Sequence, residues 1–181
     1  MKSKLAQAYM ATARIFAELS HAQRLHVGAI VVKDDRIISI GYNGMPTGWP
    51  NDCEHKEYSS GDEAGWLSPE EIEASWPHEE LVHDTQSDDT VWTHTRRFRL
   101  KTNPEVLHAE RNALDKLAKG NEGGRGATMF ITHAPCLECS KSIYGAGITQ
   151  IYYAEEYRST DGINFLEKCN VNIKKLPKED K

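Results

Sequence analysis

Apolar residues recur at helical spacing near the start of the chain and at strand spacing shortly after it. The apolar positions of residues 4–20 lie three or four residues apart, which predicts an amphipathic helix with one buried face. Two runs of β-branched residues follow at 27–32 and 36–40, and the polar turn between them predicts a β-hairpin. Residues 41–44 end the second strand with residues that tolerate positive φ.

Helical and strand patterns alternate in the second half of the chain. From residue 108 onward the order is helix, strand, helix, strand, helix, strand. Such alternation predicts a parallel sheet with helices packed on its faces, and therefore an α/β fold. The predicted elements are helices over 107–119 (capped by Gly120), 135–144 (opened by Pro135) and 161–168 and strands over 128–132, 149–153 and 171–173.

The segment from residue 46 to residue 103 has a different composition. It holds four of the seven prolines and all four tryptophans. Ser68 followed by Pro69 predicts a short helix over 69–76, and much of the remainder is expected to be loop. We interpret residues 1–181 as a single domain that carries this segment as an insertion.

The formal charge of −5 is spread unevenly over the 181 residues. Residues 52–89 contain thirteen acidic side chains and one basic side chain, so the rest of the chain carries a net charge of +7. An acidic protein is a poor candidate for binding nucleic acid polymers, whereas a small phosphorylated ligand needs only a few donors. The sequence contains no apolar run of membrane length and no signal-like N-terminus, so a cytoplasmic protein is expected.

One histidine and two cysteines provide a candidate zinc site. His108 precedes Cys136 by 28 positions, and Cys139 follows in a Pro-Cys-x-x-Cys sequence. One imidazole and two thiolates leave a fourth zinc position for water, which is typical of catalytic sites. Glu110 lies two residues after the histidine, where a carboxylate can exchange protons with that water. A structural zinc site without its fourth ligand is the alternative, and Cys169 is expected to be a small buried apolar residue.

The predicted helices explain how the three ligands can meet. A helix that starts at Pro135 places Cys136 and Cys139 one turn apart on one face, at a helix N-terminus that lowers the pKa of thiols. His108 and Glu110 fall near the start of another helix. If both helices begin at the same sheet edge, the ligands converge at the carboxyl ends of the parallel strands, where open α/β sheets usually bind ligands.

Five short motifs give the chain a family resemblance. The sequences HAE at 108–110 and PCLEC at 135–139 together match the signature of the zinc nucleobase deaminases. The sequence GYNG at 41–44, ahead of a long insertion, points to one branch of them. With VGA at 27–29 and AGI at 146–148, the chain resembles the phage and bacterial deoxycytidylate (dCMP) deaminases of the cytidine deaminase-like superfamily over nearly its whole length.

The resemblance implies a three-layer α/β/α fold with a five-stranded mixed sheet. It also implies hydrolysis of dCMP to dUMP and ammonia, in the supply of thymidine nucleotides. In this reaction Glu110 is the catalytic residue, which protonates N3 of the ring and carries a proton to the leaving ammonia. The implied zinc ligands are His108, Cys136 and Cys139, and the implied substrate-binding residues are Asn43, Ala109, Arg24 and Tyr157.

The resemblance further implies regulation and assembly. Many such enzymes are hexamers that dCTP activates and dTTP inhibits, with Mg²⁺ accompanying the triphosphate. The positions that match the effector-binding motif are Tyr42, Asn43, Gly44 and Met45. Some phage members hold a second, structural zinc, for which the candidate ligands are His21, Cys53 and His94, with His55, His78 and His83 also available. Surface histidines in a polar loop are the alternative interpretation.

Several basic and aromatic positions have two interpretations. Arg111 either reaches a phosphate or lies on a solvated helix surface, and the family often has an apolar residue there and an alanine at Ser140. The tryptophans either stack on bases or pack the insertion onto the core. A basic cluster either attracts nucleotide phosphates or offsets the acidic insertion, and its members are Arg96, Arg97, Arg99 and Lys101.

Two other functions compete with dCMP deamination. One is deamination of another substrate, such as cytidine or a tRNA adenosine. The cytidine enzymes usually have Cys in place of His108, and a tRNA deaminase should carry a basic surface. The other is a non-catalytic nucleotide-sensing subunit that keeps zinc as a scaffold, but such a subunit would have no use for Glu110.

Overall fold

The computed structural model describes residues 3–60, 67–85 and 91–177. The chain divides into two compact units. The first unit joins Met1–Cys53 to Glu105–Lys181, and the second unit is Glu54–Pro104. The described residues include no helix that is both long enough and apolar enough to cross a bilayer.

The first unit is built on a five-stranded sheet. Its helices are α1 (Ser3–Ala17), α3 (Ala109–Ala118), α4 (Leu137–Gly145) and α5 (Asp161–Lys168), and its strands are β1 (Gly28–Lys33), β2 (Arg36–Tyr42), β6 (Thr128–His133), β7 (Gln150–Glu155) and β8 (Asn172–Lys175). The strand order is β2-β1-β6-β7-β8. β1 is antiparallel to both of its neighbours, whereas β6, β7 and β8 are parallel. The predicted hairpin and the mixed five-stranded sheet are therefore confirmed.

Alternate residues of the central strands face two different cores. Ile30 and Phe130 pack with the buried face of α1. Val31 and Met129, their neighbours in the same strands, pack with α3, α4 and α5. Helices thus cover both faces of the sheet, which confirms the three-layer α/β/α fold. Cys169 packs against the second of these cores but is only partly buried, whereas a buried residue was predicted.

Backbone conformation corrects one expectation about the β1–β2 hairpin. Positive φ occurs in its turn, at Asp34 (50°) and Asp35 (55°), which suits a two-residue hairpin turn. No residue of 41–44 adopts positive φ, so the tolerance of these residues for that conformation is not used here. A glycine is instead required at position 41 because α3 approaches the backbone closely there.

Two helix boundaries in the first unit also differ from the prediction. α1 ends at Ala17 rather than near residue 20, because the next three residues form hydrogen bonds over three residues instead of four. α3 begins at Ala109 because the backbone of Leu107 pairs with that of Gly44, with N···O distances of 2.9 and 3.1 Å. Both differences come from backbone hydrogen bonds that side-chain periodicity does not reveal.

The second unit is a three-stranded antiparallel sheet with a short helix. Its elements are β3 (Glu54–Tyr58), α2 (Pro69–Ser75), β4 (His78–Thr85) and β5 (Val91–Thr102), and the strand order is β3-β5-β4. The predicted helix is confirmed, since Ser68 and Glu71 form a capping box at its start. The expectation that much of residues 46–103 is loop is wrong.

The strands of the second unit escape recognition because ion pairs take the place of alternating apolar residues. Glu57 of β3 accepts hydrogen bonds from Arg99 (2.5 Å) and Lys101 (2.8 Å) of β5. Lys56 of β3 pairs with Glu80 of β4. These contacts favour the interpretation that the basic cluster offsets acidic residues of the insertion.

The tryptophans of the insertion have different environments. Trp76 is buried, and its ring lies 4.6 Å from the guanidinium carbon of Arg99. Trp49 is exposed. Trp66 and the side chain of Trp92 lie outside the described residues, so the proposed packing of the tryptophans onto the core stays a prediction.

Candidate metal centre and active site

His108 occupies the N-cap position of α3. Its backbone is extended (φ −66°, ψ 153°), and its side chain makes no capping hydrogen bond with the helix. The imidazole is therefore available to bind a ligand at the helix N-terminus. Backbone pairing between Leu107 and Gly44 fixes the chain directly before it.

Cys136 occupies the N-cap position of α4. Its Sγ accepts a hydrogen bond from the backbone N of Cys139 at 3.5 Å. The helix begins at Leu137, so Pro135 precedes the helix and does not open it, contrary to the prediction. As a cap, the cysteine sulfur takes the place of the usual Ser or Asp oxygen, at the positively polarised end of the helix.

The three predicted metal ligands lie within 4.8 Å of one another. Nδ1 of His108 is 3.6 Å from Sγ of Cys136 and 3.4 Å from Sγ of Cys139. A tetrahedral zinc site with its usual bond lengths requires ligand separations of about 3.6 Å. The donor set and its spacing therefore fit zinc, and both helices begin at this point as the sequence predicted.

The two thiols are coupled electrostatically. Hydrogen bonds from Cys139 and His108 lower the pKa of Cys136 to about 3. The same Cys139–Cys136 hydrogen bond, together with burial, raises the pKa of Cys139. The hydrogen bond to Cys136 also raises the pKa of His108. Cys136 is thus a thiolate that interacts with the Cys139 thiol and the His108 imidazole. A zinc dication bound here would take the place of the shared protons.

Glu110 lies in the first turn of α3 and is only 4% exposed. Burial raises the pKa of its carboxyl to about 7. The carboxylate also lies within hydrogen-bonding reach of the Cys139 thiol, which places it beside the metal ligands. A buried carboxyl with a strongly shifted pKa next to a metal site is typical of a group that transfers protons.

α3 is held tightly against β2. A Cβ on Gly41 would overlap the carbonyl oxygen of Ala109 and lie 2.5 Å from the backbone N of Ala113. Ser39 donates a hydrogen bond to the carbonyl of Ala113 at 2.6 Å. Asn112 donates another from its side chain to a β2 carbonyl at 2.8 Å. The first turn of α3, and hence His108 and Glu110, is positioned by these contacts.

α4 is held in a similar way by α5. A Cβ on Gly162 of α5 would overlap the carbonyl oxygen of Pro135 and lie 2.9 Å from the carbonyl carbon of Cys136. It would also lie 2.7 Å from Oγ of Ser140, which is fully buried and has no hydrogen-bond partner among the described residues. A glycine thus allows close packing against each of the two helices that carry the predicted metal ligands. Sequence reasoning missed both, because a glycine gives no sign of which element approaches it.

The residues that the resemblance assigns to substrate binding have different surroundings. Asn43 holds the segment before β1, since its Oδ1 accepts from Val27 N at 2.7 Å and its Nδ2 donates to Leu25 O at 2.8 Å. Ala109 is the fully buried first residue of α3. Arg24 is exposed, and Tyr157 is half-buried after β7. Their substrate roles stay predictions.

Arg158 lies near the predicted site and was not among the residues singled out from the sequence. The hydrogen bond to Cys136 raises the pKa of His108, and the positive charge of Arg158 only partly opposes this rise, so Arg158 lies near the metal ligands. Its guanidinium carbon is 5.4 Å from the centre of the Tyr157 ring. Arg111, in contrast, pairs with Asp115 at 2.9 Å on the helix surface, which favours the solvated interpretation. The signal for Arg158 was its position next to Tyr157.

The candidate ligands of a second zinc are divided between the units. His21 and Cys53 belong to the first unit and His94 to the second. Among the described residues, the cluster with metal-binding geometry is the one formed by His108, Cys136 and Cys139. The second zinc therefore stays a prediction.

Comparison with known proteins identifies the class to which this site belongs. Residues 3–155 match the family described as the zinc-binding region of cytidine and deoxycytidylate deaminases. The chain therefore belongs to this family of zinc-dependent deaminases, which are hydrolases. The resemblance seen in the sequence is confirmed.

The relatives narrow the class to its deoxycytidylate branch. The chain is 30% identical to the deoxycytidylate deaminase of Enterobacteria phage T4 over 166 residues, covering 85% of this chain and 80% of that protein. It is 31% identical to the human deoxycytidylate deaminase over 157 residues, covering 84% and 66% respectively. Among solved structures, the dCMP deaminase of cyanophage S-TIM5, in complex with dCMP and dUMP, has a TM-score of 0.70 and 38% identity, and the match covers 97% and 98% of the two chains.

Proposed function

We propose that this chain hydrolyses dCMP to dUMP and ammonia. The observation that carries the proposal is the match along 97% of the chain to a dCMP deaminase whose structure holds both dCMP and dUMP. The site supports it independently, because His108, Cys136, Cys139 and Glu110 form the combination that nucleobase deaminases require.

The reaction replaces the C4 amino group of cytosine with oxygen from water. His108, Cys136 and Cys139 would hold zinc, which supplies a Lewis acid that turns water into a nucleophile at neutral pH. Glu110 takes a proton from the attacking water, delivers it to N3 of the ring, and then carries a second proton to the departing nitrogen. Its burial keeps these transfers away from bulk solvent.

Substrate contacts are part of the proposal. Asn43 is held by two backbone partners and retains a second amide hydrogen for the nucleotide. The backbone at Ala109 lies beside Glu110 and can position the base. Tyr157 lies against the base or phosphate, and Arg24 binds the phosphate.

Regulation and assembly are the finer parts of the proposal. In it, dCTP activates and dTTP inhibits, each with Mg²⁺, through the segment Tyr42, Asn43, Gly44 and Met45. The chain assembles as a homo-oligomer, with six subunits as in many relatives. The last part of the proposal is a second, structural zinc bound by His21, Cys53 and His94.

The test is ammonia release by zinc-loaded protein from dCMP, with cytidine and dCTP as competing substrates. A clear preference for dCMP supports the proposal. A preference for cytidine overturns it. Turnover of none of the three compounds also overturns it and directs the search to other deaminase substrates. Adding dCTP or dTTP with Mg²⁺ tests regulation separately, since an absent response removes only the regulatory part.

Glu110→Ala tests the assigned chemistry. General acid–base catalysis usually contributes about 10²- to 10⁴-fold, so turnover should fall by that factor while the protein still binds one zinc, measured by atomic emission. Glu122→Ala is the matched control, because Glu122 is a surface carboxylate paired with Arg36. Near-normal turnover by Glu110→Ala would refute the role of this residue.

A further inference from the structure

Helix α1 has two apolar faces, and the sheet covers only one of them. Its buried face packs against the core and consists of Ala6, Tyr9, Met10, Ala13 and Ala17. Only Lys4 and Arg14 are charged within the helix. A surface helix normally has a polar outer face, so an apolar outer face indicates a partner.

The outer face carries a regular apolar stripe. Leu5 is 36% exposed and Ile15 is 62% exposed, and Leu19, in the turn after the helix, is 51% exposed. With Ala8 and Thr12 between them, these positions alternate at spacings of three and four, which is the seam of a two-helix coiled coil. The Thr12 hydroxyl donates to the Ala8 carbonyl at 3.0 Å, so its methyl group can complete the stripe.

The charges beside the stripe are self-complementary. Lys4 and Ala11 are seven residues apart on one flank of the stripe, and Glu18, the first residue after the helix, continues the same spacing. The basic residue is in the first turn and the acidic residue follows the last turn, which is the reverse of what the helix dipole favours. The dipole of α1 therefore gives no reason for this placement, whereas a second helix running in the opposite direction does.

We propose that the outer face of α1 docks against α1 of a second copy of this chain, antiparallel about a two-fold axis. In this register Leu5 lies against Ile15 of the second copy and Ala8 against Thr12, and both contacts occur twice. The same register places Lys4 opposite Glu18 of the second copy, also twice. One helix pair buries less than the roughly 800 Å² per partner of a standard interface, so the contact alone should be weak.

Sedimentation of the full chain over a range of concentrations tests the apolar seam. Ile15→Glu places two charges in the seam and should weaken this contact at least 100-fold, which lowers the mass of the assembly. Arg14→Glu is the matched control, because it changes charge on the same helix away from the seam, and it should leave the mass unchanged. Native protein that sediments as a single chain, or Ile15→Glu protein with native mass, overturns the proposal.

Charge reversal provides a test that does not disturb the seam. Lys4→Glu and Glu18→Lys each bring like charges together twice and should each weaken association by about three- to tenfold. The double variant restores the opposite charges and should restore the native mass at low salt. Failure of the double variant to recover association overturns the proposed register, and circular dichroism verifies that each variant is folded.

Discussion

The two units of this chain are stabilised by different interactions. The first unit has a central sheet whose alternate residues enter two apolar cores, with Ile30 and Phe130 on one side and Val31 and Met129 on the other. The second unit joins its strands through ion pairs such as those of Glu57 with Arg99 and Lys101. Apolar burial is worth more than exposed ion pairs, so the unit that carries the metal centre should also be the more stable one.

The largest expected effect is that of Phe130→Ala in the first unit. Phe130 is fully buried in β6 and contacts the rings of Tyr9 and Tyr152, with centroid distances of 5.3 and 5.1 Å. Its loss should cost about 3–5 kcal/mol of unfolding free energy, measured by urea denaturation.

Phe98→Ala is the comparison in the second unit. Phe98 is 9% exposed and contacts Tyr58, His78 and Lys56, whose side chains all carry polar groups. We expect a cost of about 1–2 kcal/mol, because less apolar surface is lost. Equal losses for the two phenylalanines would contradict the contrast between the units.

The next effect concerns the fit of the metal-bearing helix. Gly41→Ala would force α3 away from β2, since the new Cβ overlaps the Ala109 carbonyl. Overpacking of this kind should cost about 1–3 kcal/mol and weaken zinc binding, because His108 moves with the helix. Gly44→Ala is the control in the same segment, where a Cβ meets nothing within 4 Å. Unchanged zinc affinity in Gly41→Ala, measured by competition with a chelator, would show that α3 adjusts without moving the ligand.

The contrast between the two units also explains which parts of the structure could be predicted from the sequence and which could not. The metal ligands were predictable because Cys136 and Cys139 form a local motif of unusual residue types. The fold of the first unit was predictable because its apolar residues recur at clear helix and strand spacings. The strands of the second unit were missed because paired charges such as Glu57 and Arg99 give the pattern of a solvated loop. The close contact at Gly41 was missed because it depends on a helix that lies far away in the sequence.

A smaller effect separates two buried serines of the first unit. Ser39 donates a hydrogen bond to Ala113 O at 2.6 Å, so Ser39→Ala should cost about 1 kcal/mol. Ser140 is fully buried, but its hydroxyl has no partner among the described residues. Ser140→Ala should therefore leave stability unchanged or raise it by up to about 1 kcal/mol. A loss of stability in Ser140→Ala would indicate that an ordered water satisfies this hydroxyl.

The smallest effect is expected from Glu57→Gln in the second unit. Hydrogen bonds from Lys101 and Arg99 lower the pKa of Glu57 from its ordinary value of 4.5. A carboxyl with a depressed pKa stabilises the folded state above its unfolded pKa and loses this contribution as the pH falls through the folded value. The variant should therefore melt slightly below the native protein at pH 7, and the difference should decline progressively as the pH falls below 4.5 and should shrink in high salt. Thermal melting curves across this pH range decide the matter, since a difference that persists in acid would mean that packing of the side chain, and not its charge, joins β3 to β5.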